Sequence, residues 1–252
     1  MSRVVKARKV AYEFYETPET YTRYLFRDMA ERGHPMSGTL FEPCSGSGAI
    51  VRASAENPAP MRWLQNDLDT RWLADTHIDA TSPSCWSTIW SDFTTIDWTV
   101  TNPPFEPAIE ILDHAIHNSR VGVAMHLRMS IHEPLKTGIR RTFFREHRPT
   151  GILYLPRFAY QRSPTKGTWT SDSMSACWVI WIKDATHQFI DYAPESVLEA
   201  LDAETPIYRA RMDTLMGYHG TEIERQAQRI ALFTAPSPDP YQPSSRSVWE
   251  TT

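Results

Sequence analysis

Phe41-Glu42-Pro43-Cys44-Ser45-Gly46-Ser47-Gly48 closes a short apolar run, Thr39–Phe41, and opens onto residues 49–56, which read as helix. A strand thus ends in an acid and turns through two glycines. Without side chains at Gly46 and Gly48, the backbone can approach a ligand closely, and the free amides of the helix start face it. Such a pair of glycines is as readily an ordinary strand-to-helix turn, so its surroundings decide. Upstream, Thr17-Pro18-Glu19 has the form of a helix start: a hydroxyl able to cap amides, proline at the first helical position, and an acid favoured by the dipole. A helix is predicted from Pro18 to Arg32, with Gly33 as its stop. Downstream, Met61–Leu64, a weak segment Thr94–Ile96, Trp98–Thr101 and Val121–Leu127 read as strands, and Glu106–Asn118 as a helix. The alternation predicts an α/β fold of the Rossmann-like kind, a doubly wound, mostly parallel sheet with helices on both faces. Ligands in that class sit beyond the carboxyl ends of the strands.

The next acid, Asp67, follows the glycines by about 20 residues, the usual distance at which a carboxylate meets ribose hydroxyls in nucleoside-binding folds. Asp67 is the preferred candidate over Asp69, and either can instead be a helix cap. Asp92, followed by Phe93, is placed to accept from an adenine amino group while Phe93 lines the pocket. The most specific element is Thr101-Asn102-Pro103-Pro104-Phe105, directly after the apolar segment Trp98–Val100. Two prolines lack amide hydrogens and hold φ, so nearby carbonyls stay stiff and outside any helix. The Asn102 side-chain oxygen and a backbone carbonyl can together receive both hydrogens of an NH2 group while Phe105 stacks on the ring bearing it.

The chain has 252 residues, 41% hydrophobic, with a formal charge of -4. One main domain is expected. Cys44, Cys85 and Cys177 are odd in number and widely spaced, which suggests neither a disulfide framework nor a metal site; a reducing cytoplasm fits. The net charge argues against bulk coating of nucleic acid, but between Arg128 and Lys166 nine basic residues face only Glu133 and Glu146, a surplus of seven. Late strands are predicted at Gly151–Leu155 and Ser175–Ile182, flanking a long polar loop within 156–174. Residues 1–184 form the expected main domain, 185–234 a small helical extension with helical fragments at 197–203 and 221–233, and 235–252 a disordered tail rich in proline and serine.

In their order, residues 41–48, Asn66 to Asp69, Ser91 to Phe93 and Thr101 to Phe105, preceded by Phe14 to Phe26, resemble the motifs of class I amino-methyltransferases acting on DNA bases, in the gamma-like arrangement of adenine-N6 enzymes. The resemblance spans about Phe14 to Ile182 and is closest to the compact, stand-alone forms that phages and prophages carry. It implies S-adenosyl-L-methionine as cofactor, contacted by Thr17, Glu42, Gly46, Gly48, Asp67 and Asp92, with Tyr15, Pro18, Pro43, Cys44 and Phe93 beside them. It also implies that Asn102, Pro103, Pro104 and Phe105 hold the target amine. Duplex DNA with a flipped base is the implied partner, gripped by Arg140, Arg141, Arg157, Phe158, Tyr160, Arg162 and Lys166, with Trp169 a further aromatic in the loop. No second segment of the kind that reads long DNA sites is evident, so low sequence selectivity is expected. Cytosine N4, adenine in RNA and a protein glutamine amide present a similar planar NH2. A silent module that binds cofactor or DNA is the alternative from another class. A nicotinamide-dependent dehydrogenase is disfavoured because the third glycine of its GxGxxG fingerprint is missing after Gly48.

Overall fold

Strand and helix alternate along the chain as its apolar periodicity requires. The computed structural model describes residues 15–92, 95–133, 139–160, 169 and 175–217. In chain order these form α1 (Glu19–Glu31), β1 (Gly38–Glu42), α2 (Ala49–Ser54), β2 (Met61–Gln65), α3 (Pro83–Asp92), β3 (Ile96–Thr101), α4 (Ala108–Asn118) and β4 (Ser119–Arg128). A 3-10 turn, Met129–His132, leads towards α5 (Ile139–Glu146), followed by β5 (Gly151–Tyr154), β6 (Ala176–Ile182), β7 (Phe189–Tyr192) and α6 (Glu195–Gly217). The described strands make one sheet in the order β2-β1-β3-β4-β6-β5-β7. Only β6 runs against its neighbours, β4 and β5. The expected doubly wound, mostly parallel sheet is therefore present.

Successive strand residues point to opposite faces, and both faces are buried. On one side Leu40, Val100, Ala124 and Ile180 pack with Tyr21, Leu25 and Met29 of α1 and Tyr208 of α6. On the other, Phe41, Val123, Met125 and Val179 pack with Trp86 of α3, Leu112 of α4 and Phe143 of α5. The segments expected at Thr94–Ile96 and Trp98–Thr101 merge into β3, with Thr94 outside the described residues. Asp97 does not interrupt it, because its carboxylate accepts from Thr39 N and Arg120 Nε, each at 2.8 Å. β7, short and largely exposed, carries no alternation to reveal it; Arg32 holds it by lying 4.2 Å over Phe189 and pairing with Asp191 at 2.8 Å.

The start of α1 is where the sequence predicts it, but its cap is not. Pro18 gives no side-chain cap, and the Thr17 hydroxyl is engaged elsewhere. Instead Glu204, on α6, accepts from Glu19 N through one carboxylate oxygen and from Thr20 N through the other, each at 2.8 Å. A negative group at these free amides also suits the helix dipole. The helical fragment expected at 197–203 is part of this longer α6, which runs through Pro206; the fragment expected at 221–233 and the tail lie outside the described residues. Replacing Glu204 by alanine leaves two buried amides without acceptors, and is expected to cost about 2–3 kcal/mol of stability. A fall in the urea midpoint at unchanged slope is the readout, and an unchanged midpoint would refute the cap.

Candidate active site

The chain leaves β1 towards β2 on one side and returns through β3 on the other, so the sheet order reverses at β1. The carboxyl ends of β1 and β3 diverge there, and a crevice opens between the loops that follow them. Glu42 ends β1, Asn102 follows β3, and both line a cleft of about 860 Å³, counting the part open to solvent.

The floor is the glycine turn. Gly46 and Gly48 have φ of 48° and 75°, left-handed values that side chains rarely adopt. Gly48 is the cap of α2. The turn is held from β2's end: Gly46 N donates to Asp67 Oδ2 at 2.6 Å, Ser45 N to Asn66 O at 2.9 Å, and Asp67 Oδ1 accepts from Asp69 N at 2.8 Å. Asn66, 1% exposed, binds the Pro43 and Ile78 carbonyls and so joins the loops after β1 and β2. Asp67 lines the cleft as expected, although its carboxylate also shapes the turn; a carboxylate has acceptor capacity beyond those two bonds. Asp69 is buried and is paired with Arg71. Pro43 and Cys44 line the same cleft. Burial and the Asp67 and Glu42 carboxylates push the Cys44 thiol well up, so it is no thiolate nucleophile.

The roof is the segment before α1. Tyr15 and Thr17 line the cleft, and Glu16 between them accepts from Ser47 Oγ at 2.7 Å, Arg52 at 3.0 Å and Arg211 at 3.2 Å. Pro18 is buried as the residue leading into α1. Across the cleft, Asn102 Nδ2 donates to Tyr15 O at 2.9 Å and to Thr17 Oγ1 at 3.0 Å. A backbone carbonyl only accepts, so the amide nitrogen must face it, and Asn102 Oδ1 remains as an acceptor.

Glu16 Oε2, Glu42 Oε2 and Ser45 Oγ are buried without a hydrogen-bond partner among the described residues, and all three residues line the cleft. Buried polar atoms are rarely left so, and two carboxylates with a hydroxyl call for a ligand that brings ammonium or hydroxyl donors. Leu68, Trp72, Ala80 and Ile111 supply apolar wall at the same site, suited to a planar ring. The donor set and the walls fit S-adenosylmethionine.

Burial, and secondarily Asp67, raise the Glu42 carboxyl well above its ordinary 4.5. A raised carboxyl binds its proton more tightly when folded than when unfolded, so its stabilising effect is full below pH 4.5 and is lost as pH climbs through the folded value. Glu42→Gln is therefore expected to raise the melting temperature of the ligand-free protein at pH 8, with the gain vanishing towards pH 4.5. The same variant should bind S-adenosylmethionine at least about tenfold more weakly. Equal melting curves at pH 8 would contradict this.

No family model matches the sequence, and no curated protein matches it. Solved structures do resemble it in three dimensions. One is a protein from Listeria monocytogenes provisionally assigned as a class I S-adenosylmethionine-dependent methyltransferase, with TM-score 0.48 and 10% identity over 76% of this chain and 71% of that one. Another is a provisionally assigned RNA methyltransferase from Pyrococcus horikoshii, with TM-score 0.48 and 14% identity over 71% and 91%. A third is an O-methyltransferase from Bacillus cereus in complex with SAH, with TM-score 0.43 and 11% identity over 69% and 84%.

A second, smaller pocket, about 300 Å³ counting the part open to solvent, shares Tyr15 and Asn102 with the cleft and adds Phe105, His126, Arg128 and Tyr160. Pro104 faces the cleft and Phe105 this pocket, while Pro103, just before them in sequence, is buried. The Arg128 guanidinium lies 3.4 Å over the Phe105 ring centroid, and Tyr15 approaches the same ring at 5.4 Å.

The other expected residues are dispersed. Asp92 ends α3, but its side chain and Phe93 lie outside the described residues, as do Arg162, Lys166 and the side chains of Arg140 and Arg141 on α5. Arg157 is exposed. Phe158, expected to meet DNA, is instead 6% exposed and packs edge-on against Tyr208 at 4.7 Å. Tyr160 is equally buried but does face the small pocket. Trp169 is packed near Tyr208. Sequence reasoning missed Glu16, Ser45, Asn66, His126 and Arg128 as parts of the site. The last two carry a faint signal: polar residues two apart at the end of an otherwise apolar strand.

Proposed function

We propose that the protein is an S-adenosylmethionine-dependent methyltransferase acting on the exocyclic amino group of a nucleic-acid base, adenine N6 in DNA. The observation that carries this reading is Asn102 at the junction of cleft and small pocket, its amide nitrogen tied back to Tyr15 and Thr17 and its oxygen left to accept. In this reading Glu16 and Glu42 hold the cofactor's ammonium group, Asp67 its ribose hydroxyls, and Leu68 and Trp72 its ring. When bound, the cofactor supplies a methyl group on a positively charged sulfur.

An adenine amino group is a poor nucleophile because its lone pair is delocalised into the ring. Asn102 Oδ1 accepts one of its hydrogens and the Pro103 carbonyl the other, which drives the nitrogen towards a pyramidal geometry and frees the lone pair. The chain's contribution is positioning and electrostatic preorganisation, and the nitrogen sheds its proton to solvent after transfer. Flipping the base costs a few kcal/mol, offset by stacking worth about 1–3 kcal/mol per base. Phe105 provides that stacking when the base displaces Arg128 from its ring, and Arg128 with the basic residues after it then faces the phosphates.

One observation favours a second reading. The Arg128 guanidinium, with Nε buried and unpartnered among the described residues, suits a base with two adjacent acceptors, as cytosine has in N3 and O2. Incubation with unmethylated DNA and methyl-labelled cofactor, followed by nucleoside mass spectrometry, separates the two. N6-methyladenine supports the first and N4-methylcytosine the second. Cofactor binding without any modified DNA, RNA or protein would leave a silent binding module.

A further inference from the structure

His126 sits in the small pocket with a buried, unpartnered ring nitrogen that neither the fold nor the steps above employ. β3 and β4 run parallel with Thr101 opposite Met125, and Val100 and Ala124 belong to the same core face. Neighbouring strands lie about 4.8 Å apart; His126 is the next position on that face of β4, and Asn102, directly after the end of β3, is its counterpart. Both line the small pocket, together with Phe105 and Tyr160.

The imidazole is 4% exposed and is locked by aromatic rings: Tyr21 nearly parallel at 6.0 Å, Trp178 at 5.3 Å and Tyr160 at 6.1 Å. Tyr160 Oη lies 3.4 Å from Nε2. Tyr21 does not compete for it, since its hydroxyl donates to Pro156 O at 2.7 Å. Burial pushes His126 down to about 3, so the ring is neutral and carries one proton. A phenol is the stronger donor of this pair, and with Tyr160 donating to Nε2 the imidazole proton resides on Nδ1. Nδ1 has no partner among the described residues.

We propose that His126 is a base-recognising residue, donating from Nδ1 to the ring nitrogen beside the target amino group, N1 of adenine; this rests on the amino-methyltransferase reading above. Asn102 Oδ1 and His126 Nδ1 then present an acceptor and a donor side by side. Adenine offers the complement, an amino hydrogen next to a ring-nitrogen lone pair. Guanine and thymine offer the reverse, a carbonyl next to a ring N–H, and would place acceptor against acceptor and donor against donor. The pair therefore rejects guanine and thymine as well as orienting the amine; cytosine, with N4 beside N3, offers the same pattern as adenine.

The test compares single-turnover methylation of oligonucleotides carrying either adenine or 1-deazaadenine, in which N1 becomes C–H, at the methylated position. Wild-type protein is expected to react about 10- to 100-fold more slowly with the analogue, as a buried donor is left unpaired. His126→Leu should lose a comparable factor on adenine and then discriminate between the two substrates by no more than about threefold. His126→Asn, which returns a side-chain N–H near the place of Nδ1, should recover most of the adenine rate. Equal wild-type rates on both substrates would overturn the proposal, as would losses from variant and analogue that multiply in full. Should His126→Leu not fold, the wild-type comparison decides alone. Absence of N6-methyladenine from wild-type protein on ordinary DNA would instead remove the parent reading, and this inference with it.

Discussion

Asn102→Ala is expected to lower the rate of methyl transfer by about 10³-fold or more, the scale on which a single preorganised polar group acts on a developing charge. The variant loses the Oδ1 acceptor, so the amino lone pair stays in the ring. It also loses the two bonds from Nδ2 to Tyr15 O and Thr17 Oγ1, 2.9 and 3.0 Å long, which hold the roof of the cofactor cleft. Cofactor affinity is therefore expected to fall as well, by about three- to tenfold, because those bonds are worth about 1 kcal/mol each at most and the roof has other supports. Among these are the bonds of Glu16 to Ser47, Arg52 and Arg211. Single-turnover kinetics at saturating cofactor read the first effect and calorimetry the second. A variant within tenfold of the wild-type rate would remove Asn102 from the chemistry.

Asp67→Ala has the second largest expected effect, and it falls on binding. The carboxylate anchors the glycine turn through Gly46 N and its own loop through Asp69 N, and it lines the cleft proposed to take the cofactor's ribose. Alanine removes both anchors and the ligand's acceptor, so the dissociation constant for S-adenosylmethionine should rise about 100-fold, or about 2.7 kcal/mol. Asp67→Asn retains one acceptor oxygen but directs an NH2 group at one of the two backbone amides. It should fall between wild type and alanine. The rate at saturating cofactor should change far less than affinity in both, since Asp67 lines the cleft and not the small pocket. An unchanged dissociation constant by calorimetry would exclude a binding role for Asp67.

What was legible in the sequence was local. Gly46 and Gly48 announce a left-handed turn because few other residues adopt positive φ. Asn102 to Phe105 announce a rigid turn because prolines lack a donor and hold φ. The apolar periods of β1, β4, β6 and α4 place them within a few residues of their observed bounds. β3 was split in two because Asp97 looks like an interruption until Thr39 N and Arg120 are seen to satisfy it. β7 was not visible at all, since its exposed side chains follow no buried face. Phe158 is expected to meet DNA because its neighbours in sequence are polar and basic, whereas its neighbours in space are Tyr21 and Tyr208.

The sequence by itself determined the doubly wound architecture, the glycine turn and the rigid Asn-Pro-Pro turn, because each depends on backbone preference or on apolar spacing within a dozen residues. Tertiary structure alone decided the cap of α1 by Glu204, 185 residues away, and the pinning of Asn102 to Tyr15, 87 residues away. It also decided the meeting of Phe105, His126, Arg128 and Tyr160 in one pocket. These are hydrogen bonds and ring contacts between distant segments, and their geometry follows from strand order and register, which no local period encodes.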